Sequence, residues 1–286
     1  MRVLVTGSSG YVGRVVCQHL LQNHEVVGFD QRLPDAPSWR TVRGDILSPA
    51  HLHEAMHGAD AVVHLAAIPN PSVDPTDQIM LVNVMGTQRV LEAAALGTPR
   101  RVVVASSDSV YGFVFGQGTI LPEYLPVDEQ HPCRPRDAYG LSKLINEETC
   151  RRYTRDTGLE TVCLRYCWVW DPGHYNHLAQ FSADPTAFVG QLWGYVDARD
   201  VAQAIGKSLG APDIAHETLN ISARRTFQEL PSLELARMYL PPQVEVRDAS
   251  SFAEDARHTL MDYRRAGRVI GYEPEFDCWE QAQLMA

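Results

Sequence analysis

Thr6-Gly7-Ser8-Ser9-Gly10-Tyr11-Val12-Gly13 stands between a Val- and Leu-rich run at residues 2–6 and an amphipathic segment at 11–22. Glycines in such a turn let the backbone come close to a pyrophosphate, whose charge then faces the positive end of the following helix. A later glycine lets that helix pack tightly on the strand. The spacing is Gly-x-x-Gly-x-x-Gly rather than Gly-x-Gly-x-x-Gly, and taken alone it also suits a plain strand-ending turn. Its place in the first strand–helix unit of the chain favours a nucleotide site.

Outward from this turn, short strand-like runs at 25–29, 41–43, 61–64, 101–105 and 160–164 alternate with helical spacing at 49–57, 77–96 and 138–157. Strands alternating with helices build parallel crossover units, so the reading is α/β: a Rossmann-like doubly wound parallel sheet. The dinucleotide domain is expected over 1–165 and again over 195–222. Residues 166–194 and 223–286 are expected to form a small substrate-binding lobe. In it, 168–192 reads as an irregular insertion, and helices are expected at 227–239, where Pro231 interrupts the pattern, and at 251–259.

Composition agrees with one large α/β unit and an appended lobe: 286 residues, 45% apolar and 21% charged. Lys and Arg number 25 against 35 Asp and Glu, a net charge of −10 that repels nucleic-acid backbones and anionic membranes. No stretch of about 18 uncharged apolar residues occurs, so no transmembrane helix is expected, and no secretory leader is expected from the N-terminal residues. Six scattered cysteines without a Cys-x-x-Cys pair suit a reduced compartment, so a cytoplasmic protein is expected.

Asp30 closes the second strand, followed by Gln31 and Arg32. A carboxylate there accepts hydrogen bonds from the ribose hydroxyls of an adenosine and repels a 2′-phosphate, which favours NAD over NADP. Arg32 is the one residue that argues for a 2′-phosphate. Asp45-Ile46, after the third strand, is placed for the adenine edge.

Tyr139 and Lys143 are four residues apart, hence on one helical face. A phenol with an ordinary pKa of about 10 is a poor base at neutral pH unless a cation stabilises the phenolate, and Lys143 offers one. The run Ser106-Ser107-Asp108-Ser109-Val110-Tyr111-Gly112 ends the strand at 101–105, and hydroxyls at the C-terminal edge of a parallel strand face the ligand crevice.

Together with His64-Leu65-Ala66-Ala67, Asn83-Val84-Met85-Gly86-Thr87, Leu164-Arg165-Tyr166, Tyr195-Val196-Asp197 and Asn220-Ile221-Ser222, these motifs make the chain resemble the extended short-chain dehydrogenase/reductases, the NAD-dependent epimerase/dehydratase family. The resemblance covers about residues 1–222. It implies Tyr139 as general acid/base, Lys143 as its activator and Ser107 as the substrate-orienting hydroxyl. It also implies a cofactor groove of Gly7, Ser9, Gly10, Tyr11, Val12, Gly13, Asp30, Gln31, Arg32, Asp45, Ile46, Leu65, Ala66, Ala67 and Asn83, besides Tyr139 and Lys143. A homodimer through the helix at 77–96 and the one bearing Tyr139 is implied too.

Departures from the family pattern narrow the substrate. Members acting on nucleotide sugars must grip a second pyrophosphate. Many carry Asn where this chain has Trp168, and no Lys or Arg occurs from Tyr166 to Ala198. Asp108, Ser109, Trp168, Trp170, Tyr175 and Trp193 are the expected substrate contacts. Ser109 occupies the position of the dehydratases' glutamate, which disfavours that branch. The resulting expectation is an NAD-dependent dehydrogenase of a small sugar-like or cyclic alcohol. An epimerase and a non-catalytic NAD(P)-sensing protein are the alternatives. Histidines at 51, 53, 57, 174 and 177 lack a completing Cys or carboxylate, so no metal is expected.

Overall fold

The computed structural model describes residues 1–72, 74–115 and 121–285. Its strands are β1 (Arg2–Thr6), β2 (Glu25–Asp30), β3 (Arg40–Arg43), β4 (Ala61–His64), β5 (Arg101–Ser107), β6 (Tyr124–Leu125), β7 (Glu160–Tyr166), β8 (Trp168–Trp170), β9 (Tyr195–Asp197), β10 (His216–Ile221) and β11 (Glu245–Val246). Seven of them form one parallel sheet in the order β10-β7-β5-β4-β1-β2-β3. The order reverses between β1 and β4, where ligands of open α/β sheets bind beyond the carboxyl ends of the strands.

The sheet is apolar on both faces because helices cover both. Along β1, Val3 and Val5 join one core with the helices Tyr11–Leu20 and Ala198–Gly210. Leu4 between them points to the other core, with Leu52, Val90, Leu91 and Cys150. A third core, built on Trp170, Trp193, Tyr195 and Phe227, holds the lobe together.

The expected helix at 77–96 spans Thr76–Leu96, and its middle, Met80–Met85, is a π-helical turn. Against the expectation of no transmembrane helix, this 21-residue helix passes as a membrane span by length and composition alone. Val90, Leu91 and Ala94 are nonetheless buried in the sheet-side core.

The lobe differs more. Residues 168–170 are not irregular: they form β8, parallel to β9. The short helix Pro172–Tyr175 follows, fixed by a capping box in which Asp171 and His174 each accept the other's backbone N–H, and by Pro in its first turn. Pro231 does not interrupt a helix but precedes one, Ser232–Tyr239. In place of the expected 251–259 helix a shorter one, Ser250–Glu254, forms. Arg264–Ile270 and Cys278–Met285 are helices that apolar spacing did not reveal. Ala266, Ile270 and Tyr272 return to the sheet's own core, so that part of 223–286 belongs with the dinucleotide unit rather than the lobe. Residue 286 lies outside the described residues.

Candidate active site

The glycine turn ends β1 at the strand-order reversal. Gly7 has φ +74°, open to glycine at no steric cost, and a Cβ there would sit 2.6 Å from the Ala66 nitrogen. A Cβ on Gly13 would sit 2.1 Å from the Gly7 carbonyl oxygen. A side chain at either position would displace the turn's backbone, so the residue types fit a pyrophosphate held by backbone. Asp30 accepts hydrogen bonds from the Ser9 and Arg32 N–H groups at 3.0 and 3.1 Å, and Ser9 Oγ donates to the Arg32 carbonyl at 2.5 Å. These bonds tie the turn to the end of β2.

A groove of about 600 Å³ runs over this turn. Gly7, Ser9, Gly10, Asp30, Gln31, Arg32, Ile46, Leu65, Ala66 and Ala67 line it, and Arg14 adds a cation. Tyr11, Val12, Gly13, Asp45 and Asn83 lie outside its wall, and Tyr139 and Lys143 line the neighbouring cavity. Gly13 packs beneath the turn, and Val12 lines the neighbouring cavity. Asp45 spends its carboxylate on the Leu47 N–H at 2.8 Å, which shapes the turn behind Ile46. Asn83 is fully buried; it accepts from the Ile68 N–H at 2.8 Å and donates to the Ile68 carbonyl and to Ser142 Oγ, both at 3.1 Å. It thereby ties the groove wall to the Tyr139 helix and acts as a positioning residue. The π-helical turn carries it there. Tyr11 is not among the groove's lining residues and stands partly exposed, with Asp171 and Asp197 near its phenol.

The groove opens into a cavity of about 440 Å³ lined by Ser107, Asp108, Ser109, Tyr139, Lys143 and Trp168, among others. Ser107 ends β5, and its Oγ accepts from the Ser109 N–H at 3.1 Å, starting a tight turn. The helix Ala138–Thr157 begins at Asp137, whose carboxylate accepts from the Gly140 N–H at 2.8 Å. Gly140 lets this helix approach the serine turn closely, since a Cβ there would sit 2.6 Å from the Ser109 carbonyl oxygen. Burial, with Asp108, pushes the Tyr139 phenol above its ordinary 10, and the nearby Ser107 hydroxyl works the other way, favouring the phenolate. Lys143 Nζ donates to the Ala105 carbonyl at 2.8 Å and lies 5.4 Å from the Tyr139 ring centre. Burial lowers its pKa to about 8. Behind the site, Glu147 holds Arg165 in a two-pronged buried ion pair and accepts from Ser106 Oγ at 2.5 Å.

Of the expected substrate contacts, Asp108, Ser109 and Trp168 line the cavity. Trp170, Tyr175 and Trp193 do not; they are buried in the lobe core. Trp170 sits under Tyr195 and Phe227, Tyr175 donates to Asp197, and Trp193 Nε1 donates to the Pro185 carbonyl at 2.8 Å. On β8 successive side chains alternate, so Trp168 and Trp170 share one side yet differ in depth. Trp168 stacks on Phe188 and stays half-buried, lining the cavity. Phe115, Tyr166, Cys167 and Gln191 line the cavity without having been singled out as contacts. Tyr166 lies in the Leu164-Arg165-Tyr166 motif, which could have flagged it; Phe115 and Gln191 carry no pattern.

Residues 3–222 match the model of the NAD dependent epimerase/dehydratase family. An L-arabinose 1-dehydrogenase (NAD(P)+) of Haloferax volcanii is 32% identical over 197 residues, 67% of this chain and 76% of its own length. An uncharacterized UDP-glucose epimerase of Bacillus subtilis is 25% identical over 304 residues, 96% of this chain and 93% of its own. A short-chain dehydrogenase/reductase superfamily protein of Agrobacterium tumefaciens, solved with bound NAD, superposes with a TM-score of 0.75 at 28% identity, over 99% of this chain and 95% of its own.

Proposed function

The chain belongs to the NAD dependent epimerase/dehydratase family, and from that premise we propose that it is an NAD-dependent dehydrogenase of a small, uncharged sugar-like or cyclic alcohol. Bound NAD supplies the acceptor for the electron pair of the carbinol C–H bond. The chain's own residues handle the proton. Ser107 Oγ hydrogen-bonds the substrate oxygen and Tyr139 takes the hydroxyl proton as general base. Lys143, held by the Ala105 carbonyl, favours the phenolate through its charge.

One observation carries the choice of substrate: among the described residues that line the cavity, Lys143 is the only Lys or Arg, and its ammonium is already engaged. Arginines near in sequence are spent elsewhere. Arg199 pairs with Asp197 and stacks on Phe276, Arg224 pairs with Glu273, and Arg225 with Asp255. A diphosphate would lack the cations it needs. The kinship with a named L-arabinose dehydrogenase supports the same reading.

The second reading, an epimerase, is favoured by the UDP-glucose epimerase relative matching over nearly the whole chain. A sugar and polyol panel with NAD separates them. NADH accumulation supports the dehydrogenase, and isomer interconversion without net NADH supports the epimerase. NAD binding with neither outcome would leave a sensing protein.

Exposed Leu81, Met85 and Leu141, on the helix at 76–96 and the one bearing Tyr139, support a homodimer through these two helices. Sedimentation at micromolar concentration tests it. Six free cysteines support a reducing, cytoplasmic setting.

A further inference from the structure

Asp108 is the carboxylate among the cavity's lining residues, 8% exposed and adjacent in the chain to Ser107. Its carboxyl takes hydrogen bonds from Ser107 Oγ, at a long 3.2 Å, and from the backbone of its own turn. No Lys or Arg pairs with it in the ion pairs among the described residues. Buried carboxylates ordinarily hold a cation or several strong donors. A carboxylate has about four lone-pair directions, so Asp108 keeps accepting capacity toward the cavity. Tyr166 lines the same cavity, and its buried hydroxyl has no partner among the described residues.

We infer that Asp108, together with the Tyr166 hydroxyl, reads an uncharged hydroxyl beside the carbon being oxidised and rejects substrates that carry a carboxylate there. This rests on the dehydrogenase reading above and deepens it by naming what selects the substrate. A neutral polyol donates its hydroxyl proton to Asp108 and accepts from Tyr166. A uronate would bring a second anion into about 440 Å³ of space beside Asp108. Burial already pushes the Asp108 carboxyl up to about 7, and a second carboxylate beside it must either face that anion or force its protonation, a cost that grows above pH 7.

The test compares aldoses (D-glucose, D-galactose, L-arabinose) and myo-inositol with D-glucuronate and D-galacturonate, on full-length protein with NAD. Wild type at pH 8 is expected to favour the neutral compounds by about tenfold or more in kcat/KM, one charge-assisted contact's worth. Asp108→Asn, nearly isosteric, should narrow that preference about tenfold by admitting uronates. Asp108→Ala should raise KM for neutral sugars about tenfold with a smaller change in kcat, and Tyr166→Phe should raise it a few-fold. A preference for uronates in wild type, or an unchanged ratio in Asp108→Asn, overturns the inference. Calorimetric titration of the same sugars into Tyr139→Phe with NAD measures the ratio without turnover. If that ratio follows Asp108 while the panel shows only isomerisation, the dehydrogenase reading fails and the specificity reading stands. Absence of binding by every neutral compound sinks both.

Discussion

Around Gly7 and Gly13 the crevice is walled by backbone, whereas around Trp168 it is walled by side chains. In the first half, function depends on atoms that are missing: a Cβ at either glycine would collide with main-chain atoms within 3 Å. In the second half, function depends on which face of a side chain is left uncovered. Trp168 and Trp170 are two residues apart, yet one lines the cavity and the other has no exposed surface. Backbone-built sites tolerate little change in residue type, while side-chain-built sites can be retuned by altering a few rim residues.

The widest predicted gap lies where the halves meet. Tyr139→Phe should lower kcat by about 10²–10⁴-fold, while its NAD affinity stays within a few-fold of wild type by calorimetry. A near wild-type rate would remove Tyr139 from the proton chemistry. Next comes the aromatic pair. Trp193→Ala should cost about 3–5 kcal/mol in urea unfolding and leave KM unchanged in the folded fraction. Trp168→Ala should cost far less stability and raise KM. The reverse pattern would mean that the lobe core and the cavity rim have been exchanged.

Gly13→Ala should weaken NAD binding by about 10–100-fold, or 1.4–2.8 kcal/mol, with a small change in sugar KM once NAD is saturating. Undiminished NAD affinity would break the claim that backbone makes this wall. The smallest effect concerns His64, at the end of β4 under the turn. Its ring is bonded to Thr6 Oγ1 at 2.7 Å and Thr87 Oγ1 at 3.0 Å, and burial, helped by Lys143, holds its pKa at about 3. A base with a lowered folded pKa stays neutral in the fold, while the unfolded chain binds a proton near 6.5. Stability is therefore expected to fall as pH drops below about 6.5, by about 1.4 kcal/mol per unit from this group. Urea midpoints at pH 7 and 5.5 for wild type and His64→Gln measure it, and equal slopes would exclude His64 as the cause.

The same division explains what could be read in advance. Gly7, Gly13 and Asp30 announce themselves because few residue types satisfy a positive φ, a close approach or a ribose-facing strand end. Tyr139 and Lys143 do so through fixed helical spacing. Strands of a doubly buried sheet are continuous Val runs, so the sheet was legible as well. In the lobe, aromatics occur without period, and Trp170, Tyr175 and Trp193 have the composition of a binding wall. Only packing against Tyr195, Phe227 and Asp197 shows them to be core. Asn83 was expected among the groove residues, but its link to Ile68 and Ser142 depends on the π-helical turn, which residue spacing does not encode.

The returning helix Arg264–Ile270 sets a rule for anyone who would graft a new substrate lobe onto this chain. A cut after Ser222 looks natural because the family motifs stop there. It would strip Ala266, Ile270 and Tyr272 from the sheet, and with them the bond from Tyr272 Oη to the Ser222 carbonyl at 2.9 Å. The face carrying Leu219 and Ile221 would then meet water. A chimera that keeps 264–272 and exchanges only the segments before it retains a sealed sheet, so the portable unit of specificity is an internal cassette and not the C-terminal end.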